Sequence, residues 1–431
     1  MLSRRQFGQN LAAASFLASL NAASHVSAIS NSVLQPRKKI AFLGTKVYQH
    51  SHAQHFLDRF AMGFAMGGKW HQPPVDIASV FIDQMQDNDA ADIGKQRIER
   101  YSLKQFPTPA EALTLGGSTL AVDGVVIIGE HGDYPRNEKG QTLYPRYDWF
   151  KECVKVFEAS GRSVPVFNDK HLSTDWNQCR EMVADSKRLG FPFYAGSSLP
   201  VTWRLPSFEI PLDTPLKESV CVGYGGIDSY DFHALETAQC MSERRAGGEV
   251  GIRSVHTVKG EKLWTLLETP QREHTRELFV SALCRSHNLP VDNGYPAAPV
   301  TLEWARQTLP DTTGYFIEHL DGFHSAIFLT SIRDFNYAGL RSDNGEIVGC
   351  QMYLPMPGHS ATTADFFTPL CQHVENMFLQ GTTPYPIERT LLTSGMVIGG
   401  VESLFTGGKP FVTNDMAIRY KAPAQSMFWQ Q

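Results

Sequence analysis

From Lys39 to Gly196 the chain alternates between short apolar runs and amphipathic stretches. That alternation constrains the fold more than any single motif. The apolar runs are Lys39–Gly44, Val75–Ile82, Val122–Ile128, Val164–Phe167 and Phe191–Gly196. Between them, apolar residues recur at helical spacing over His52–Met66, after Thr108-Pro109, over Tyr147–Ser160 and over Thr174–Leu189. Strands that alternate with helices in this way lie parallel, each helix crossing back over the sheet. The expectation is an α/β fold with a Rossmann-like, doubly wound parallel sheet over residues 36–200.

Beyond Pro200 the pattern changes. Pro200, Pro206, Pro211 and Pro215 interrupt regular structure, and helical periodicity becomes sparse. A helix is expected at Phe232–Arg245, followed by β-rich segments at Arg253–Val258, Gly314–Ile317, Ser325–Thr330 and Glu346–Met352. A last helix, Ile387–Phe405, stops at Gly407-Gly408, where glycine supplies a left-handed cap. A chain of 431 residues exceeds one typical core. Residues 201–423 therefore read as a second, α+β domain on a largely antiparallel open sheet.

The first thirty residues read as an export signal rather than part of the fold. Ser3-Arg4-Arg5-Gln6-Phe7 carries paired arginines, Leu11–Leu20 is mildly apolar, and Val26-Ser27-Ala28 is a small-residue cleavage site. The paired arginines point to the twin-arginine route and a periplasmic or extracellular location. No later run approaches the roughly 20 apolar residues that span a bilayer. A net charge of −5 without a basic stripe argues against nucleic acid and for a small-molecule partner. Seven cysteines lack CxxC spacing; most read as buried apolar residues, with one bridge left open.

Ionisable residues gather at the carboxyl ends of the expected strands, where open α/β sheets bind ligands. Asn168-Asp169-Lys170-His171 ends one strand, and Lys170 there can donate a proton to a bound molecule. Gly44-Thr45-Lys46-Val47-Tyr48 follows the first strand, but of the G-x-G-x-x-G dinucleotide fingerprint only Gly44 is present. Asp83 ends the second strand, where an acid would meet a ribose hydroxyl. His50, His52 and His55 crowd the first junction, and Glu130-His131 follows the third strand. A metal held by His50, His52 and His131 is one alternative; hydrogen-bonded histidines lining a polar cleft is the other. Further on, Gly225-Gly226-Ile227-Asp228-Ser229-Tyr230-Asp231-Phe232-His233 precedes a helix. Asp231 suits an N-cap, and His233, held neutral in the first turn, suits a general base. Arg204, after Trp203, could bind an acidic or hydroxylated ligand. His319, His324 and His359 are isolated candidates.

Together these segments resemble the glucose–fructose oxidoreductase and inositol dehydrogenase (Gfo/Idh/MocA) family. Asp169-Lys170-His171-Leu172-Ser173 looks like that family's E-K-P-L-[AS] motif, with Lys170 at the catalytic lysine, Asp169 at its acid and His171 at its proline. His233 resembles the catalytic histidine of the D-x-x-x-H motif, with Ser229 in place of the aspartate and Asp228 and Asp231 on either side. Glu402 to Pro410 is similar to the family's last helix and its G-K-P stop. The resemblance implies hydride transfer between NAD or NADP and a sugar, glycoside or polyol. It assigns catalysis to Lys170 and His233 with Asp169 and Asp231. It places the cofactor near Gly44, Thr45, Asp83, Glu130 and His131, and the substrate near Arg204, Asp228 and His171. It also implies a homo-oligomer built through the open sheet. A non-redox hydrolase, lyase or isomerase on the same scaffold, with or without a metal, and a non-catalytic carbohydrate-binding protein are the alternatives.

Overall fold

The first sheet is built from strands that read as continuous apolar runs because both of their faces are covered. In the computed structural model, which describes residues 37–85, 91–292, 295–296, 299–355 and 364–426, these are β1 (Lys38–Gly44), β2 (Val75–Ile82), β3 (Gly124–Ile128), β4 (Val166–Asp169) and β5 (Phe193–Gly196). They pair in parallel in the order β2-β1-β3-β4-β5. Every residue of β3 is buried, as expected for a central parallel strand. Helices α1 (His52–Met62), α2 (Arg146–Ser160) and α3 (Trp176–Leu189) make three of the four crossovers, and two short helices, Gly94–Arg100 and Pro109–Thr114, lie in the β2–β3 connection. The export signal over residues 1–30 and His359 lie outside the described residues.

The second sheet has eight strands: β6 (Arg204–Leu205), β7 (Leu216–Tyr224), β8 (Ile252–Lys259), β9 (Thr313–His319), β10 (His324–Thr330), β11 (Phe335–Arg341), β12 (Ile347–Met352) and β13 (Phe411–Val412). Their order is β13-β8-β9-β10-β7-β11-β12-β6, and only the β10–β7 pair is parallel. A Rossmann-like sheet joined to a largely antiparallel α+β portion is therefore the architecture, as the pattern implied.

Side chains along this second sheet alternate between two cores. Cys221, Tyr315, Ile317, Ile327 and Tyr337 face α4 (Tyr230–Ser242) and the last helix. Val220, Val222, Phe316, Phe328 and Ala338 face the other way. That outer face is covered by α5 (Glu261–Leu267), α6 (Glu273–Leu283) and α7 (Leu302–Thr308), through Leu263, Trp264, Leu278 and Phe279. The cover is partial: Ser254, His256, Phe316, Glu318 and His324 on the same face line an open groove.

Helices are accordingly more frequent after Pro200 than the pattern suggested. Two of the three covering helices have seven residues, too few for the helical period to stand out. A further helix, α8 (Thr368–Gln380), precedes α9 (Ile387–Phe405), which ends as expected at Gly407 and Gly408, both with positive φ. Gly400 lets α9 lie directly on the Tyr315 ring, where any Cβ would collide. All seven cysteines are free thiols, and only Cys284 is exposed. Among the described residues no helix is long and apolar enough to cross a membrane.

Candidate active site

The strand order makes the crevice. The connection after β1 runs to β2 and the one after β3 runs the other way to β4, so the two part between β1 and β3 and open a gap above the sheet. Loops following β1, β3, β4 and β5 bring Tyr48, His50 and His52, then Glu130 and His131, then Lys170 and His171, then Ser198 and Leu199 to one cavity of about 510 Å³. The start of α4 closes it with Asp228, Tyr230 and His233, and Phe366 and Phe367 before α8 form an aromatic wall. An apolar wall with a few convergent polar groups is what a small-molecule site requires.

Lys170 is the centre of this site. Its Nζ lies 2.9 Å from Glu130 Oε2 and 3.4 Å from Asp169 Oδ2. It also lies 2.7 and 2.9 Å from the two ring nitrogens of His52, a near-equality that places it over the ring face. Burial works against the ammonium, but Asp169 and Glu130 outweigh it and hold its pKa above the ordinary lysine value. Burial likewise opposes the Glu130 carboxylate, and His52, Lys170 and His131 overcome it, so its pKa is well below the usual range. His52 Nδ1 stands 2.8 Å from Asp169 Oδ2, which fixes the ring. His131 Nε2 is 3.1 Å from Glu130, and its Nδ1 is 2.9 Å from the Tyr48 hydroxyl.

His233 opens onto the same cavity, its ring centre 6.2 Å from that of His52. Burial, reinforced by Lys170 and His52, drives its pKa well below the ordinary value, so the imidazole is neutral. Its Nδ1 has no hydrogen-bond partner among the described residues. A neutral base and a fixed cation thus share one cavity. One turn further along α4, Glu236 is fully buried and accepts hydrogen bonds from the Ser197 amide and hydroxyl. Burial raises its pKa to about 7. It holds the Ser197–Leu199 turn against α4.

Backbone strain collects here. Among the described residues eight non-glycine positions have φ between +46° and +72°, and four of them line the cavity: His50, His131, Lys170 and Asp228. Such conformations persist only where the surroundings enforce them, and they gather at functional sites.

A dinucleotide would need free amides at the mouth of α1. Here Tyr48 N–H donates to Ser51 Oγ at 3.2 Å, Gln49 N–H to the Ala91 carbonyl at 2.9 Å and His50 N–H to Gln54 Oε1 at 2.5 Å. His52 N–H donates to Glu130 Oε1 at 3.3 Å, which sets a carboxylate where a pyrophosphate would lie. As arranged, these residues do not fit a pyrophosphate. A metal meets a similar obstacle. His52, Glu130 and Asp169 present ligand atoms within 4.8 Å of one another, but the Lys170 ammonium is in contact with all three. A divalent ion there would be repelled by it.

Several expected site residues lie elsewhere. Arg204 is 2% exposed on β6, donating to Ser426 Oγ at 2.6 Å and to the Pro200 carbonyl at 3.4 Å. It ties the chain together rather than meeting a ligand. Asp231 is in the first turn of α4, not at the cap, and turns inward to accept the Tyr315 hydroxyl at 2.8 Å. Gly44 is buried within β1, and Thr45 bonds the carbonyls of Ile128 and Glu130. Asp83 is exposed and holds the Tyr134 hydroxyl at 2.5 Å, outside the cavity. The three-histidine metal alternative is replaced by His52 with two carboxyl groups, while His50 lines the cavity separately. Pattern reading missed Tyr48, Tyr144, Arg146, Tyr230 and the Phe366-Phe367 pair. The Tyr144-Pro145-Arg146 run ahead of a helix was the available signal for two of them.

No protein-family model and no curated protein matches this chain. Solved structures do. GenD2 from gentamicin A biosynthesis, solved with NAD, is 12% identical with a TM-score of 0.55 over 88% of this chain and 97% of that one. A putative myo-inositol dehydrogenase from Sinorhizobium meliloti is 10% identical, with a TM-score of 0.52 over 87% and 99%. The myo-inositol dehydrogenase of Lactobacillus casei, solved with NAD(H) and myo-inositol, is 8% identical, with a TM-score of 0.52 over 88% and 97%. The chain therefore has the fold of these inositol dehydrogenases and of GenD2. That is the fold of the glucose–fructose oxidoreductase and inositol dehydrogenase family, the one its sequence resembles.

Proposed function

We propose that this protein is an enzyme on a dehydrogenase scaffold that transforms a sugar- or polyol-type molecule by moving a proton at a hydroxyl-bearing carbon. The observation that carries this reading is the pairing of neutral His233 with cationic Lys170 on one cavity. His233, which lines the cavity, accepts the hydroxyl or carbon-bound proton. Lys170, held by Glu130 and Asp169, stabilises the oxyanion that develops, as transition-state electrostatics require. Asp169 positions His52 and Lys170, and His171 and Asp228 stand at the edge of the bound molecule.

Hydride transfer with NAD or NADP is the redox form of this proposal. The fold supports it, since GenD2 and the Lactobacillus casei enzyme were solved with the nucleotide. The loop after β1 favours a second form, a non-redox isomerase or lyase, because its amides are engaged within the chain. Export by the twin-arginine signal belongs to the same proposal. Replacing Arg4 and Arg5 by lysine and following the protein into the periplasmic fraction tests it.

The experiment for function incubates the full chain with sugars, cyclitols and sugar acids in D₂O, with and without NAD⁺ and NADP⁺. Proton NMR and absorbance of reduced nicotinamide are read together. Deuterium uptake or a new product without nucleotide supports the non-redox form, and nucleotide reduction supports the redox form. In either case Lys170→Met is expected to lower the rate by about 10² or more. Conversion of nothing in the panel, or an undiminished rate in Lys170→Met, overturns the proposal.

A further inference from the structure

We propose that the molecule taken by this cleft is a sugar acid, and that Arg146 binds its carboxylate. This rests on reading the cleft as a sugar site. Arg146 opens α2 and lines the cavity, yet only 4% of it is exposed. Its Nη1–H donates to the His171 carbonyl at 2.7 Å, and its Nε has no partner. Among the described residues no carboxyl group forms an ion pair with it. Asp228, which lines the cavity and with Asp169 and Glu130 attracts the guanidinium at longer range, turns its oxygens to Gln141 Nε2 at 3.2 Å and Thr142 N–H at 3.0 Å.

A guanidinium keeps its charge at any physiological pH, so burying one without a counter-charge is costly unless a ligand supplies it. The chain is shaped to hold this one in place. A Cβ on Gly129 would collide with Arg146 Cγ, and the guanidinium carbon lies 5.3 Å from the centre of the Tyr144 ring. Lys170, the other cation of the cavity, is already engaged by Glu130 and Asp169. Arg146 has no ion pair among the described residues, and a guanidinium is the side chain suited to grip a carboxylate. A uronate or aldonate would bring such a carboxylate.

The test compares D-glucuronate, D-galacturonate and D-gluconate with D-glucose, D-galactose and myo-inositol, by calorimetry and by shift of the melting temperature of the full chain. At least one acid is expected to bind about 10- to 100-fold more tightly than its neutral counterpart. Arg146→Met is expected to erase that preference. Arg146→Lys, which keeps the charge without the fork, guards against loss of the fold and is expected to retain only part of it. Equal binding of acid and neutral sugars, or a preference that survives Arg146→Met, overturns the inference while leaving the sugar-site reading intact. Absence of binding by all six compounds overturns both. Acid binding without conversion supports the inference and counts against the enzyme.

Discussion

Lys170 and Glu130 form a buried ion pair, Nζ to Oε2 at 2.9 Å, between loops that follow neighbouring strands of the parallel sheet. The pair is local in space and 40 residues apart in sequence, so it exists only once β3 and β4 have aligned. Its strength and its vulnerability both follow from burial.

Removing the lysine leaves two carboxyl groups, Glu130 and Asp169, in a cavity without their cation. Lys170→Met is expected to cost about 3–5 kcal/mol of stability, the usual result of breaking a buried pair. Urea unfolding measures it. Lys170→Met with Glu130→Gln is expected to recover part of the loss, because one of the two stranded charges goes with it. A double variant no more stable than the single one would show that Glu130 is not the partner that matters.

Shortening the same side chain is expected to create a metal site. With the ammonium gone, His52, Glu130 and Asp169 retain ligand atoms within 4.8 Å of one another. Lys170→Ala is expected to take up about one Zn²⁺ per chain on dialysis, and the native protein far less, by elemental analysis. Equal uptake by both would contradict the account of Lys170 as the occupant of that space.

The base at His233 has its pKa well below the ordinary histidine value. Because the folded-state pKa is lowered, the imidazole stays neutral as the pH falls through the usual histidine range. The pH–rate profile of kcat is therefore expected to show no acid limb near pH ~6.5, the unperturbed value. A limb there that disappears in His233→Asn would contradict the assignment.

Glu236 makes the opposite prediction. Burial raises its pKa to about 7, from an ordinary 4.5. The folded state then holds a proton that the unfolded state has released. Its favourable contribution is complete below the unfolded pKa and disappears as the pH rises through the folded one. Stability is expected to fall between those two values, by an amount on the order of 3 kcal/mol. Glu236→Gln is expected to flatten this slope, and a slope unchanged in that variant would remove Glu236 from the explanation.

Much of the fold was legible because its signals are local and periodic. β3 and the Ile40–Gly44 stretch of β1 are apolar on both faces, and α9 has both its period and its glycine stop within one stretch of sequence. Lys170 and His233 were legible as residue types at strand and helix ends. The partners of Lys170 were less so: nothing in the sequence ties His52 to Asp169, 117 residues away, across the mouth of the sheet. Arg204 misled because a charged residue beside Trp203 reads as exposed, whereas Ser426 and Pro200 receive its donors inside the fold. Arg146 was overlooked because it opens a helix, where a basic residue usually faces water.

The roof that α5, α6 and α7 lay over the second sheet bears on how the protein behaves at low abundance. The strands beneath that roof owe their cover to no companion, and the cleft is lined by residues of one chain. Specific activity is expected to stay level down to nanomolar protein, where an enzyme that completes itself by association would fade.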